Sequence, residues 1–155
     1  MQRISTALLA TGTLVALFVV GARSSGSSEE KPEEFKVRPI GYVRVEGDRT
    51  LIVLDKKYEA GLLGMDKLSE IWVLWWFDRN DTPGKRSILQ VHPRGNPSNP
   101  LTGVFSTRAP VRPNLIALTR CKIISVKDNV IEIESIDAFP DTPVLDIKRV
   151  IGALN

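Results

Sequence analysis

The stretch Ile71-Trp72-Val73-Leu74-Trp75-Trp76-Phe77 constrains the fold more than any other part of the sequence. It has the length of a strand, is rich in aromatic and β-branched side chains, and holds no polar residue. A strand with one face in water would alternate, and this one does not, so both of its faces have to be covered. A barrel wall packed against a helix would do this, and so would a subunit interface. Packing in a core or an interface is the expected use of Trp72, Trp75 and Trp76, with stacking on a nucleobase as the rarer alternative.

The segments around it read as β as well. Lys36 to Val45 and Thr50 to Leu54 flank the turn sequence Glu46-Gly47-Asp48-Arg49, a hairpin signal. Tyr58 to Glu70 is the best helical candidate, with Leu62, Met65 and Leu68 three apart and Gly61 and Gly64 keeping it short. Arg86 to Val91 reads as a short strand. His92 to Thr102 reads as a long ordered loop at a binding surface. Leu115 to Val126 and Val130 to Ile136 form a second hairpin over Lys127-Asp128-Asn129, and Ile131 and Ile133 alternate with Glu132 and Glu134. Val144 to Ile151 closes the pattern. Short strands joined by Gly and Pro turns imply an all-β antiparallel barrel with one or two short helices after Tyr58.

Ahead of the barrel the chain changes character. Ile4 to Ala22 is uncharged and mostly apolar behind Arg3, and its roughly 19 residues suit either a signal peptide or a membrane-anchoring helix. Residues 23–34 read as a disordered polar linker, and residues 35–155 as the barrel domain. The expected location is therefore the membrane or beyond it, with membrane contact through residues 4–22. A cytoplasmic location follows instead if translation starts further along. The net charge of +3 permits an acidic partner without requiring one. A single cysteine, Cys121, and a single histidine, His92, exclude an internal disulfide and leave too few ligands for a typical transition-metal site. Cys121 lies in an apolar run and reads as a buried structural thiol.

One further stretch draws attention: Gly103-Val104-Phe105-Ser106-Thr107-Arg108-Ala109-Pro110-Val111-Arg112-Pro113-Asn114. It reads as a strand entering through Val104 and Phe105, then a loop stiffened by two prolines. Two guanidinium groups and an amide on a rigid loop could hold a small anionic or polar ligand. From the residues alone, a structural proline loop with solvated arginines is an equal alternative.

That stretch, together with Pro39-Ile40-Gly41, the tryptophan run, His92-Pro93-Arg94-Gly95 and Asp141-Thr142-Pro143-Val144-Leu145-Asp146-Ile147-Lys148, resembles the TsaA-like, or TrmO-type, family in residue type and order from about Phe35 to about Val150. Members of that family use S-adenosylmethionine to methylate N6-threonylcarbamoyladenosine next to the tRNA anticodon. The resemblance implies a partly open β-barrel that forms a homodimer, S-adenosylmethionine as cofactor, and tRNA as partner if the domain is cytoplasmic. By the same resemblance Arg108 contacts the cofactor, its fork suiting a carboxylate, and Arg79, Asn80, Leu118, Asp141, Thr142 and Pro143 line the same site. Arg94, Arg112, Asn114 and Lys148 are candidates for substrate contact, with surface ion pairs such as Lys148 with Asp146 as the alternative. No catalytic base stands out.

The chain also departs from the family's pattern. A tight turn replaces a Pro-Arg-Gln-Pro-like pocket loop between the first two strands. Glu70 and Asp78 stand where relatives have histidines. Leu115-Ile116-Ala117 follows Asn114 where relatives have Pro-Ile-Gly, and Pro140-Asp141 replaces Asp-Gly before Thr-Pro. The competing reading is therefore a non-catalytic binding or accessory domain, tethered to the membrane or exported.

Overall fold

The structure, a computed structural model, describes residues 34–152. The expected apolar helix over residues 4–22 and the linker up to residue 33 lie outside them. Among the described residues the strand-like runs form β1 (Gly41–Glu46), β2 (Arg49–Leu54), β3 (Glu70–Trp76), β4 (Gln90–Val91), β5 (Thr102–Gly103), β6 (Ile116–Lys127), β7 (Val130–Ile133) and β8 (Pro143–Arg149). Six of them close a barrel in the order β1-β2-β7-β6-β3-β8, all pairs antiparallel, while β4 and β5 form a separate small ribbon. No helix among the described residues is long and apolar enough to cross a membrane.

The barrel is closed, where the resemblance implied one partly open. The closing seam between β1 and β8 is short, with only Gly41 opposite Val144 and Tyr42 opposite Pro143. Loop backbone extends it: Ile40 N–H donates to Val144 O at 2.8 Å, Val43 N–H to Thr142 O at 3.0 Å, and Asp141 N–H to Val43 O at 2.8 Å. Asp141 adopts φ 69° to make this join, in the left-handed region that glycine occupies without strain. Glycine, which the family pattern implies at this position, would take this φ without strain.

The interior is filled from alternate positions on the strands. Val43, Ile52, Ile71, Val73, Ile131, Ile133 and Val144 are buried, which is the inward half of a period-two pattern. Along β3, Ile71, Val73 and Trp75 point inward, while Trp72, Leu74 and Trp76 are half-buried on the outside. Part of that outer face is covered from within the chain. Trp76 donates from Nε1 to Asp81 at 3.4 Å, and the Arg86 guanidinium lies 5.2 Å from the centre of its ring.

Both hairpins follow the sequence reading. Gly47, at φ 63°, supplies the positive φ that a two-residue hairpin turn requires. Asp128, at φ 53°, does the same between β6 and β7, and Glu132 on the wet face accepts from Arg49 at 3.0 and 3.1 Å.

The helical expectation over Tyr58 to Glu70 gives way to two 3-10 segments, Lys56–Leu62 and Met65–Lys67. Gly64 sits at φ 82° between them and breaks the helical path. Val104 and Phe105, expected to open a strand, form a 3-10 turn with Ser106. The strand expected over Arg86 to Val91 shrinks to β4, because Pro83–Arg86 makes one α-helical turn capped by Thr82.

Cys121 is buried on β6, as expected, and burial pushes its thiol up to about 12. The folded value lies above the ordinary 9.0, so the neutral thiol favours the fold. That contribution is complete below about pH 9 and is lost as pH rises towards 12. At pH 8 a disulfide reagent should leave the native protein unlabelled and label the urea-unfolded chain at once. Labelling of native protein at the mixing rate would contradict the burial.

Candidate functional site

Because β3 runs antiparallel to both β6 and β8, its last residues meet the first residues of each. The chain enters β6 through Leu115, fully buried at φ 53°, whose carbonyl accepts from Phe77 N–H at 2.9 Å. Trp75 and Phe77 close this end of the core with an edge-to-face contact, centroids 4.7 Å apart at 64°. On the other side β8 slips in register between Leu74 and Trp75, a bulge of the kind that re-aims side chains near sites.

The proline loop is held over this end by Arg112. Its Nε donates to Ala109 O at 3.0 Å, and its Nη2 donates to Val104 O at 3.0 Å and Thr107 O at 2.8 Å. One guanidinium therefore satisfies the carbonyls of Thr107 and Ala109 and adds a donor to Val104 O, which also accepts from Thr107 N–H at 3.2 Å and from Thr107 Oγ1 at 3.0 Å. Arg86 acts similarly from the opposite loop, donating to Asp81 at 2.8 Å and to Pro113 O at 2.6 Å. That pairing holds the Asp81 carboxyl below its usual range. Arg108 is exposed between these anchored neighbours, with one long hydrogen bond to Leu118 O at 3.4 Å.

What results is a cleft of two lobes. One, about 180 Å³, lies against Arg112, Ile116, Ala117 and Leu118. The other, about 280 Å³, lies against Asp78, Arg79, Asn80, Pro110, Phe139 and Thr142. Trp75, Phe77, Arg108 and Asp137 line both. Together the lobes reach the size of small-molecule sites, roughly 300–1,000 Å³. The wall mixes an aromatic floor with cations and carboxylates. The Arg79 guanidinium lies 3.9 Å from the centre of the Phe139 ring, a cation–π contact that joins the loop after β3 to the one before β8.

The structure thus brings Arg79, Asn80, Arg108, Leu118 and Thr142 to one cleft, with Arg112. Asp141 and Pro143 flank Thr142 without lining it: Asp141 pairs with Arg44, and Pro143 sits in the seam with Tyr42. Arg94 is exposed at φ 59° in the 92–101 loop, Asn114 is exposed beside Pro113, and Lys148 pairs with Asp146 at 2.7 Å. None of these three lines the cleft. Reading the sequence missed Asp137 and Phe139, noted Asp78 only as a departure from the family's pattern and Pro110 only as a stiffener of its loop, and gave Trp75 to packing with base stacking as the rarer use. Asp137 carries no local signal, since only the crossing from β7 to β8 sets it beside Arg108.

Comparison with known proteins agrees with this architecture. Residues 31–154 match the family model described as the tRNA-methyltransferase O N-terminal domain. A probable S-adenosyl-L-methionine-binding protein of Pyrococcus horikoshii is 45% identical over 118 residues, 76% of this chain and 84% of the relative. The human tRNA (adenine(37)-N6)-methyltransferase is 42% identical over 94 residues, 61% of this chain but 21% of that protein. A crystal structure of TrmO from Pseudomonas aeruginosa superposes with TM-score 0.60 at 26% identity, covering 79% of this chain and 57% of that one.

Proposed function

The chain belongs to the tRNA-methyltransferase O N-terminal domain family, and from that premise we propose that its cleft binds S-adenosylmethionine and serves methyl transfer to N6-threonylcarbamoyladenosine in tRNA. The observation that carries the reading is the shared wall of the two lobes, where Arg108, Asp137, Trp75 and Phe77 meet. The residues fit this donor. Arg108 offers a fork for a carboxylate, Asp137 a partner for an ammonium, and the aromatic pair an apolar surface. When bound, S-adenosylmethionine supplies an activated methyl group, so the protein needs no nucleophile of its own. Its residues hold two reactants in line and exclude water, where correct positioning alone can supply much of the rate. Two lobes with a common wall suit that task, one for the donor and one for the base. The names of the relatives support the donor, and those of the methyltransferases support the reaction.

The further contacts belong to the same proposal. Arg94, Arg112, Asn114 and Lys148 are proposed to meet tRNA, and Asp141 and Pro143 to support Thr142 at the donor. A homodimer would cover exposed Leu101, Phe105 and Ile124, which are otherwise a liability in water. Residues 4–22, uncharged throughout, support a membrane tether or export. A binding domain without catalysis is the second reading. The two-residue turn between β1 and β2, Gly47-Asp48, favours it, because a pocket loop stands there in methyltransferases of the family.

Two measurements separate these readings. Calorimetry on the full chain should detect S-adenosylmethionine binding, and transfer of a labelled methyl group to tRNA carrying the threonylcarbamoyl modification should follow. Binding without transfer removes the catalytic reading, and no binding at millimolar donor selects the second one, a domain that keeps the barrel without the donor pocket.

A further inference from the structure

Three side chains form a directed hydrogen-bond chain from the core into the cleft. Trp75 Nε1 donates to Thr119 Oγ1 at 3.0 Å, and Thr119 Oγ1 donates to Asp137 Oδ1. The direction is fixed by chemistry. An indole N–H can only donate, an ionised carboxylate can only accept, and a hydroxyl has one proton to give. Once Thr119 accepts from Trp75, its proton has a single direction left, towards Asp137. The anchor is rigid, because Trp75 is 4% exposed on β3 and packed edge-on against Phe77. Thr119 stands opposite Val73 in the β3–β6 ladder, so the regular sheet positions it. Asp137 is different. It sits exposed on the irregular crossing between β7 and β8, where an unsupported carboxylate would sample several rotamers.

We propose that Thr119, anchored by the Trp75 indole, is a positioning residue that clamps one oxygen of Asp137 and so aims the other at a cationic group of the ligand in the cleft. The inference rests on the donor reading above for the identity of that ligand, the ammonium of S-adenosylmethionine. Thr119 lines neither lobe, whereas Asp137 and Trp75 line both, so any effect of Thr119 on the ligand has to pass through them. A carboxylate locked before binding loses little rotamer freedom when the ligand arrives.

The test uses the full chain and two readouts. Calorimetry with S-adenosylmethionine is run on wild type, Thr119→Val, Thr119→Ser, Asp137→Asn and the Thr119→Val/Asp137→Asn double variant. Thr119→Val should weaken binding roughly three- to tenfold, the scale of one lost hydrogen bond, and Thr119→Ser should restore it to within about twofold. The double variant should bind no more weakly than Asp137→Asn alone, since the two act in series. Wild-type affinity in Thr119→Val, or additive losses in the double variant, overturns the proposal. The second readout needs no ligand. The Trp75 indole proton, assigned with Trp75→Phe, should exchange slowly in wild type and in Thr119→Ser, and faster in both Thr119→Val and Asp137→Ala, which removes the acceptor that Asp137→Asn keeps. Exchange unaffected by Asp137→Ala breaks the chain at its outer end and refutes the clamp. Failure of the wild type to bind the donor, with the exchange pattern intact, would instead remove the donor reading and leave the clamp standing for another cation.

Discussion

Replacing Gly41 with alanine is expected to unfold the barrel at its seam. A Cβ at this position would lie 2.3 Å from Val53 O, 2.7 Å from Leu54 Cα and 2.9 Å from Leu54 Cδ2. Two of these are backbone atoms of the paired strand, so no side-chain rotation can make room. Relief has to come from moving β1 away from β2, and β1 also carries the short seam to β8 through Gly41 opposite Val144. Overpacking usually costs about 1–3 kcal/mol where side chains can adjust, and here the upper end or beyond is expected. With that loss the melting temperature should fall by roughly 10 °C or more, if the variant folds at all. Gly103→Ala is the matched control. Gly103 has φ −63°, and its nearest obstacle is Leu89 O at 4.0 Å, so alanine there should leave stability unchanged within about 1 kcal/mol. Equal melting of Gly41→Ala and wild type would show that the seam is not built as described.

Gly41 also marks the boundary of what the sequence discloses. Its place in Pro39-Ile40-Gly41 points to the family, but the reason for glycine is a contact with a strand twelve residues on, which no local pattern reports. Where local physics decides, the reading succeeds. Gly47 and the Lys127–Asn129 turn announce their hairpins because turn chemistry is encoded in adjacent residues. Ile131 and Ile133 face inward because alternation sets the face. Where the outcome depends on competition between neighbours, the reading drifts. Leu62, Met65 and Leu68 have helical spacing, yet Gly64 splits the segment into 3-10 turns. Val104 and Phe105 look like strand residues, yet Arg112 gathers the carbonyls of Val104, Thr107 and Ala109 into a turn. The site divides the same way. Arg108 stands out because prolines surround it, and Arg79 and Asn80 because they follow the tryptophan strand. Asp137 is invisible until the barrel closes and sets two distant loops side by side.

The largest functional effect is expected at Arg108. The residue lines both lobes of the cleft, and its one intramolecular hydrogen bond is long, 3.4 Å to Leu118 O. Most of its donors are therefore available to a ligand, and removing it disturbs little else. Arg112 is the contrast: its substitution would take the guanidinium from the carbonyls of Thr107 and Ala109 and one of three donors from Val104 O, so a loss there would report the loop and the site together. For Arg108→Ala the expected loss of S-adenosylmethionine affinity is about 1.5–3 kcal/mol, the scale of a hydrogen bond to a charged group, or roughly 10- to 150-fold. Arg108→Lys should recover only part of this, because an ammonium keeps the charge but not the paired geometry of the fork. Melting temperatures of both variants should stay within a few degrees of wild type, since the side chain is exposed and holds no buried group. Raised salt should narrow the gap between wild type and alanine, as expected for an interaction open to solvent. Calorimetry at two ionic strengths tests all of this in one series. A full-affinity Arg108→Ala protein would take the arginine out of the donor site and leave Arg79 and Arg112 as the other cations lining the cleft for the carboxylate.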